Sequence, residues 1–357
     1  MTRVTLLTEI PAPYRIPLFN ALAERVELDV VFLRDRNPDR PYGSHDDEMR
    51  FARSVLRGVD VTVHGRWLVL NRGVSRRLRG ADAVVLGGWN QPAFWEALAW
   101  CRVRRVPVAL WVESTGRDSR TGRAEPVKRA LLRGVDAFVV PGTAARAYVE
   151  SLGVPVERIR TAPNAVDAAI FGFGSRARSD DRVRLLAVGR LAYEKGIDTL
   201  LEAADGLPVD IVLAGVGPEE GRLRALAGAN VTFAGQVERD TLPSLYADAD
   251  VAVMPSRSDP WGMILNEAAL AGLPLVSTTA AGAAFDLIED GVNGFRVPAD
   301  DPGALRAAIV RLVEDADFRR AAGERSREIG ARFTPEAWAD AVCETVSAIA
   351  APRRSRR

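Results

Sequence analysis

The sequence predicts two α/β domains, each a parallel sheet covered by helices on both faces, opposed across a cleft. Three observations carry this expectation. The chain has 357 residues, and at roughly 100–200 residues per domain that is room for two cores. Short β-rich apolar runs alternate with segments of 3.6-residue periodicity through both halves, the pattern of strand–helix crossovers. Between the halves, FGFGSRARSDDR (171–182) has serine, glycine and charge but no periodicity, and reads as a linker.

In the first half, strands are expected at Val4–Thr8, Leu28–Leu33, Val59–His64, Ala83–Gly87, Pro107–Val112, Ala137–Val140 and Arg160–Pro163. Helices are expected at Ile16–Val26, Pro92–Val103 and Ala144–Leu152. After the linker the pattern restarts, with strands at Leu185–Val188, Ile211–Ala214, Val231–Ala234, Val251–Pro255, Leu275–Ser277 and Phe295–Val297. Gly196–Ala204 and Trp261–Ala271 are helical between them. Two Rossmann-like sheets follow, over 1–170 and 183–334. Ligands of such sheets bind beyond the carboxyl ends of the strands, so the cleft is where functional side chains are sought.

Composition narrows the function. With 47% apolar and 27% charged residues the chain is an ordinary globular protein. No apolar run approaches the ~18–20 residues of a membrane span. The N-terminus carries no secretory pattern, so a cytoplasmic setting is expected. Cys101 and Cys343 lie far apart, and His45 and His64 are the only imidazoles; neither a disulfide framework nor a multi-histidine zinc site is expected. The net charge of +1 hides an asymmetry: residues 1–165 sum to +8 and the rest to −7, which bears on partners rather than on fold. Nucleic acid is not expected among them. Of 48 cations only Lys128 and Lys195 are lysines.

Lys195 lies in GRLAYEKG, just beyond the strand Leu185–Val188, together with Arg190. A guanidinium and an ammonium beside a helix N-terminus suit a diphosphate. In SRSDPWGMILNEAALAGLPLVS, Asp259 occupies a loop after a strand and Glu267 follows eight positions later on a helix. That spacing aims two carboxylates at one cleft. Glu267 also interrupts an apolar run, where an unpartnered charge would be costly.

GRLAYEKG, FAGQV, SDPWGMILNEAALAGLPLVS and GVNGF, in this order and at these separations, resemble the retaining glycosyltransferases of family 4, which have the GT-B fold. The passage GTAARAYVESLGVPVERIRTAPNAVD resembles that family's exit from its first domain. The resemblance implies a nucleotide diphosphate sugar as co-substrate, no other cofactor, no metal, and an alcohol on a glycan or lipid-linked acceptor. It implies that Arg190 and Lys195 hold the donor diphosphate, and that Asp259 and Glu267 hold the transferred sugar and the ribose. Gly262, Met263, Ile264, Gly215 and Val237 then belong to the donor site, the base lying near Phe233–Glu238. It also implies that a last helix, about 335–350, crosses back to the first domain.

This chain departs from the family pattern at three places. The first acid is Asp259 rather than glutamate. IPAPYRIP replaces a glycine-rich loop, leaving Arg15 or backbone groups to serve. WVESTGRD stands where many members place a histidine, offering Glu113 or Ser114, as site residue or as loop structure. Trp89 and Asn90, in GGWNQPAFW after a strand, could stack on and hydrogen-bond an acceptor. The arginine-rich RWLVLNRGVSRRLRG (Arg66–Gly80) reads as a basic amphipathic segment on an anionic membrane or as a solvated helix face. Asp248–Asp250 spells DxD but reads as a helix end entering a buried strand. A nucleotide-sugar 2-epimerase and a catalytically silent nucleotide-sugar-binding protein are the alternative functions.

Overall fold

The computed structural model describes residues 1–36, 45–63, 66–116, 129, 132–171 and 182–351. The stretch read as a linker, except its ends, and Lys128 lie outside the described residues.

The first sheet contains β1 (Arg3–Thr8), β2 (Glu27–Phe32), β3 (Ala52–Val55), β6 (Ala83–Leu86), β7 (Val108–Trp111), β8 (Ala137–Val140) and β9 (Ile159–Thr161). Its strand order is β3-β2-β1-β6-β7-β8-β9, and every pairing is parallel. The second contains β10 (Val183–Val188), β11 (Val209–Ala214), β12 (Val231–Gly235), β13 (Val251–Met254), β14 (Leu275–Thr278) and β15 (Gly294–Val297). Its order, β12-β11-β10-β13-β14-β15, is also parallel throughout. Both sheets start in the middle, wind outward, and return to the other side, which opens a crevice at the switch point: β1/β6 in one, β10/β13 in the other. The buried VVL, VALW, AFVV and VAVM runs are continuous because helices cover both faces.

One expectation needs correction. Arg66–Gly80 is not one amphipathic helix. Arg66–Arg72 is β5, paired antiparallel with β4 (Arg57–Val63) in a hairpin outside the main sheet, and only Val74–Arg77 is helical. A short unbroken apolar run, Trp67–Leu70, with Gly73 behind it favours a strand that stops. Val166, Ile170 and Phe171, just before the stretch read as a linker, pack with Tyr246, Leu265 and Ala268 of the second core.

Helix Pro335–Ala350 packs against helix Ile16–Ala23 of the first domain. Its fully buried Trp338 lies 5.0 Å from Trp111 and 6.0 Å from Phe19, ring centre to ring centre. Thr334 caps it through Ala337 N–H at 3.1 Å, with Pro335 opening the helix.

Candidate active site

The residues expected at a diphosphate site sit beyond the carboxyl ends of neighbouring strands β10 and β13. The chain leaves β10 through Gly189 and Arg190, makes a short turn at Tyr193–Lys195, and enters helix Ile197–Ala204 through Gly196. Gly196 has φ +62°, and a Cβ there would overlap the Pro255 carbonyl oxygen, so this crossing of two loops requires glycine. From the other loop, Asp259 meets Lys195: Nζ to Oδ2 is 2.5 Å. Arg190 pairs with Glu194. Burial alone would raise the Glu194 carboxyl, but hydrogen bonds from its own backbone and from Arg190 hold it below the ordinary range.

Arg257 ties the two loops together. Its guanidinium donates to the Tyr193 carbonyl at 2.8 Å, to Asp198 at 2.9 Å and to Asp300 at 2.5 Å, and stacks 4.4 Å over the Tyr193 ring. Two loops that meet only at a salt bridge would sample many geometries. A partly buried fork with several donors engaged restricts them.

Helix Met263–Ala271 begins just past Asp259, with Gly262 as its N-cap at φ +98°. The Met263 and Ile264 N–H groups open it and have no intrahelical acceptor, which suits phosphate oxygens. One turn on, Glu267 is partly buried and its Oε2 accepts from the Tyr246 hydroxyl at 2.6 Å. Burial raises the Glu267 carboxyl above its usual value, while Tyr246 and the Arg239 charge pull it back. Gly215 follows β11 and hydrogen-bonds Gly235 at 2.7 Å, its Cα packed against the Gly189 carbonyl. Val237 lies at the edge of the second core.

Across the cleft, the loop after β1 carries Glu9 and Arg15. Arg15 is clasped between Glu113 Oε2 (2.5 Å) and Thr8 Oγ1 (2.9 Å), with its guanidinium 4.5 Å from the Trp111 ring centre. Asn164 donates to the other oxygen of Glu113 at 3.0 Å, and its carbonyl accepts from Asn266 Nδ2 at 3.0 Å. Asn266 Oδ1 accepts from Trp261 Nε1 at 2.7 Å, and Asp259 Oδ1 accepts from Trp261 N at 3.2 Å. One chain of contacts thus runs from Arg15 to Lys195 through both domains. Two further contacts bridge the domains: Asp286 caps Thr143 N and Oγ1, and Arg239 meets Glu48 at 2.8 Å.

A model described as Glycosyltransferase Family 4 matches residues 18–170, and one described as Glycosyl transferases group 1 matches 182–315. The lipopolysaccharide core biosynthesis glycosyltransferase LpsE of Rhizobium meliloti is 34% identical, over 62% of this chain and 67% of that protein. The chain belongs to glycosyltransferase family 4. The glycogen synthase of Mycobacterium tuberculosis is 27% identical over 73% of this chain and 67% of its own length. Matched regions span from 37% to 67% of such relatives. Among solved structures, Anabaena HepE in complex with UDP superposes with a TM-score of 0.79, covering 97% of this chain and 100% of that one at 19% identity. The likeness extends the fold: two parallel-sheet domains in the GT-B arrangement.

The structure of this glycosyltransferase brings Arg190, Lys195, Asp259 and Gly262–Ile264 together at the β10/β13 crevice, and Glu267 one helical turn away. Arg15 and Glu113 face them from the other domain, with Ser114 next in the chain. Asn90 donates to Glu9 at 2.5 Å, and Trp89 stands edge-on to Tyr148, 6.1 Å between centres. Asp248 and Asp250 precede β13, at the opposite end from the crevice, where Asp250 accepts from Arg184 N at 2.7 Å. Tyr246, Arg257, Asn164 and Asn266 escaped the sequence reading. Of these only Asn266, a polar position inside an apolar run, carried a signal in the sequence.

Proposed function

We propose that the protein is a retaining, metal-independent hexosyltransferase that moves a sugar from a nucleotide diphosphate sugar to an alcohol on a glycan or lipid-linked acceptor. The contact between Lys195 and Asp259 at the β10/β13 crevice, with Arg190 beside it, carries this reading. Arg190, Lys195 and the N–H groups of Met263 and Ile264 would receive the diphosphate and stabilise the charge it gains on leaving. Asp259 would face the sugar hydroxyls and the positive charge growing on the ring, and Glu267 the ribose.

Retention is supported by how the other carboxylates are engaged. Glu113 is committed to Arg15 and Asn164, and Glu9 to Asn90 and Gln91. The acceptor's proton would therefore pass to the departing diphosphate, on the face it leaves. The acceptor class draws on the lipopolysaccharide-core relative, and a UDP-linked donor on the HepE complex. The place of work would be cytoplasmic, at the inner face of a membrane.

Mass-spectrometric screening of nucleotide sugars for slow hydrolysis, followed by NMR of the anomer transferred, tests the proposal. Release of an inverted product, an epimerised donor, or no turnover of any donor refutes it. Activity should also survive EDTA.

A further inference from the structure

We propose that the outer face of the β4–β5 hairpin docks on an anionic lipid bilayer and holds the acceptor cleft against it; the inference deepens the lipid-linked acceptor reading above and rests on it. The hairpin's two faces differ sharply. In register, Arg57 pairs with Arg72, Val59 with Leu70 and Val61 with Leu68, and side chains two apart share a face. On that outer face Val59 is 63% exposed, Leu70 53% and Val63 41%, with the exposed Arg57 and Arg72 closing one end. Neither arginine has an ion-pair partner among the described residues, and no acidic residue occupies this face.

The inner face is anchored to the first domain. Val69 is completely buried, Asn71 donates to the Leu33 carbonyl at 2.9 Å, and Asp60 takes both Arg34 and the Trp67 indole N–H. The apolar outer side chains therefore cannot be the hairpin's own core. Two strands alone are marginal in water, and here buried Gln91 makes the attachment. Its Oε1 accepts from Val69 N at 2.9 Å, and its Nε2 reaches the Trp67 carbonyl and Glu9. Glu9 and Asn90 lie at the β1/β6 switch point, so the hairpin is fastened to the acceptor side of the cleft.

An exposed valine–leucine face ending in unpaired arginines, on the half of the chain that carries +8, complements a bilayer with anionic headgroups. A second copy of the same face would set arginine against arginine.

Flotation of the full chain with phosphatidylcholine vesicles containing phosphatidylglycerol, against pure phosphatidylcholine, tests this. The wild type should partition onto the anionic vesicles and lose about five-fold for each of Arg57→Gln and Arg72→Gln. Val59→Ser with Leu70→Ser should lose about ten-fold or more on the same vesicles. Hydrolysis of donor in solution should be unchanged in all these variants, because none lies in the crevice. Equal flotation of wild type and the double serine variant overturns the proposal, as does concentration-dependent dimerisation that the serines abolish. Failure of donor hydrolysis in the wild type with flotation intact would refute the enzymatic reading alone.

Discussion

Asp259→Asn should split the two kinetic constants in opposite directions. The substitution keeps the side chain's size and its acceptor for Trp261 N, and removes only the charge facing Lys195. Lys195 is held by Asp259 at 2.5 Å, with the two side chains 25% and 14% exposed. An ammonium spent on that pair is less available to a diphosphate. For a pair still reached by water, about 1 kcal/mol is a fair measure of the attraction to be shared, so freeing it should tighten donor binding by about five-fold. The turnover step should move the other way. A preorganised charge beside the developing positive ring is commonly worth about 10²–10³ in kcat. The assay is donor affinity by calorimetry alongside single-turnover transfer, using whichever nucleotide sugar the hydrolysis screen identifies. If Asp259→Asn weakens donor binding while keeping kcat within about three-fold, the division of labour argued here is wrong. Asp259→Glu, the residue usual in the family, should also lose about 10²-fold, because a methylene displaces the carboxylate by about an ångström from a lysine whose loop Arg257 restrains.

Gly196→Ala should lower stability by about 1–2 kcal/mol from the left-handed backbone alone, and more from the Pro255 carbonyl; urea unfolding measures it, with donor turnover falling in parallel. Tyr246→Phe removes a donor from Glu267, whose carboxyl burial already raises. On the proposal that an ionised Glu267 receives the ribose hydroxyls, the acid limb of kcat/KM should therefore move to higher pH; an unmoved limb would separate Glu267 from donor binding. Burial raises the Asp286 carboxyl in the folded state, against the bonds from Thr143. Folded protein then binds protons more readily than unfolded, and wild-type stability declines as pH rises from the ordinary aspartate value through the raised one. Asp286→Asn should lack that slope in urea titrations across the same window.

The sheets were legible because parallel strands buried on both faces write themselves as apolar runs. Ala52–Val55 was not, being a short edge strand with an arginine in it, and Arg66–Arg72 was misleading because arginines flank its apolar positions. Within the site, Asp259 and Glu267 stood out by spacing, and Lys195 by rarity. Arg257 looked like any arginine among 48 cations. Its importance comes from meeting Tyr193, Asp198 and Asp300, residues brought near only by the finished fold. Tyr246 carried no signal in the sequence, and its hydroxyl matters only once Glu267 is packed against it.

The return of helix Pro335–Ala350 to Phe19 and Trp111 also sets a timetable for synthesis. The first sheet has all its strands once residue 161 is made, yet one face of its core stays open until a helix about 175 residues later arrives. At ~5–20 residues per second, that apolar face waits roughly 10–35 s on the ribosome, while the second domain has time to fold in between. The first part of the chain to be made is thus the last to be sealed, and during that interval it is the region most in need of a chaperone.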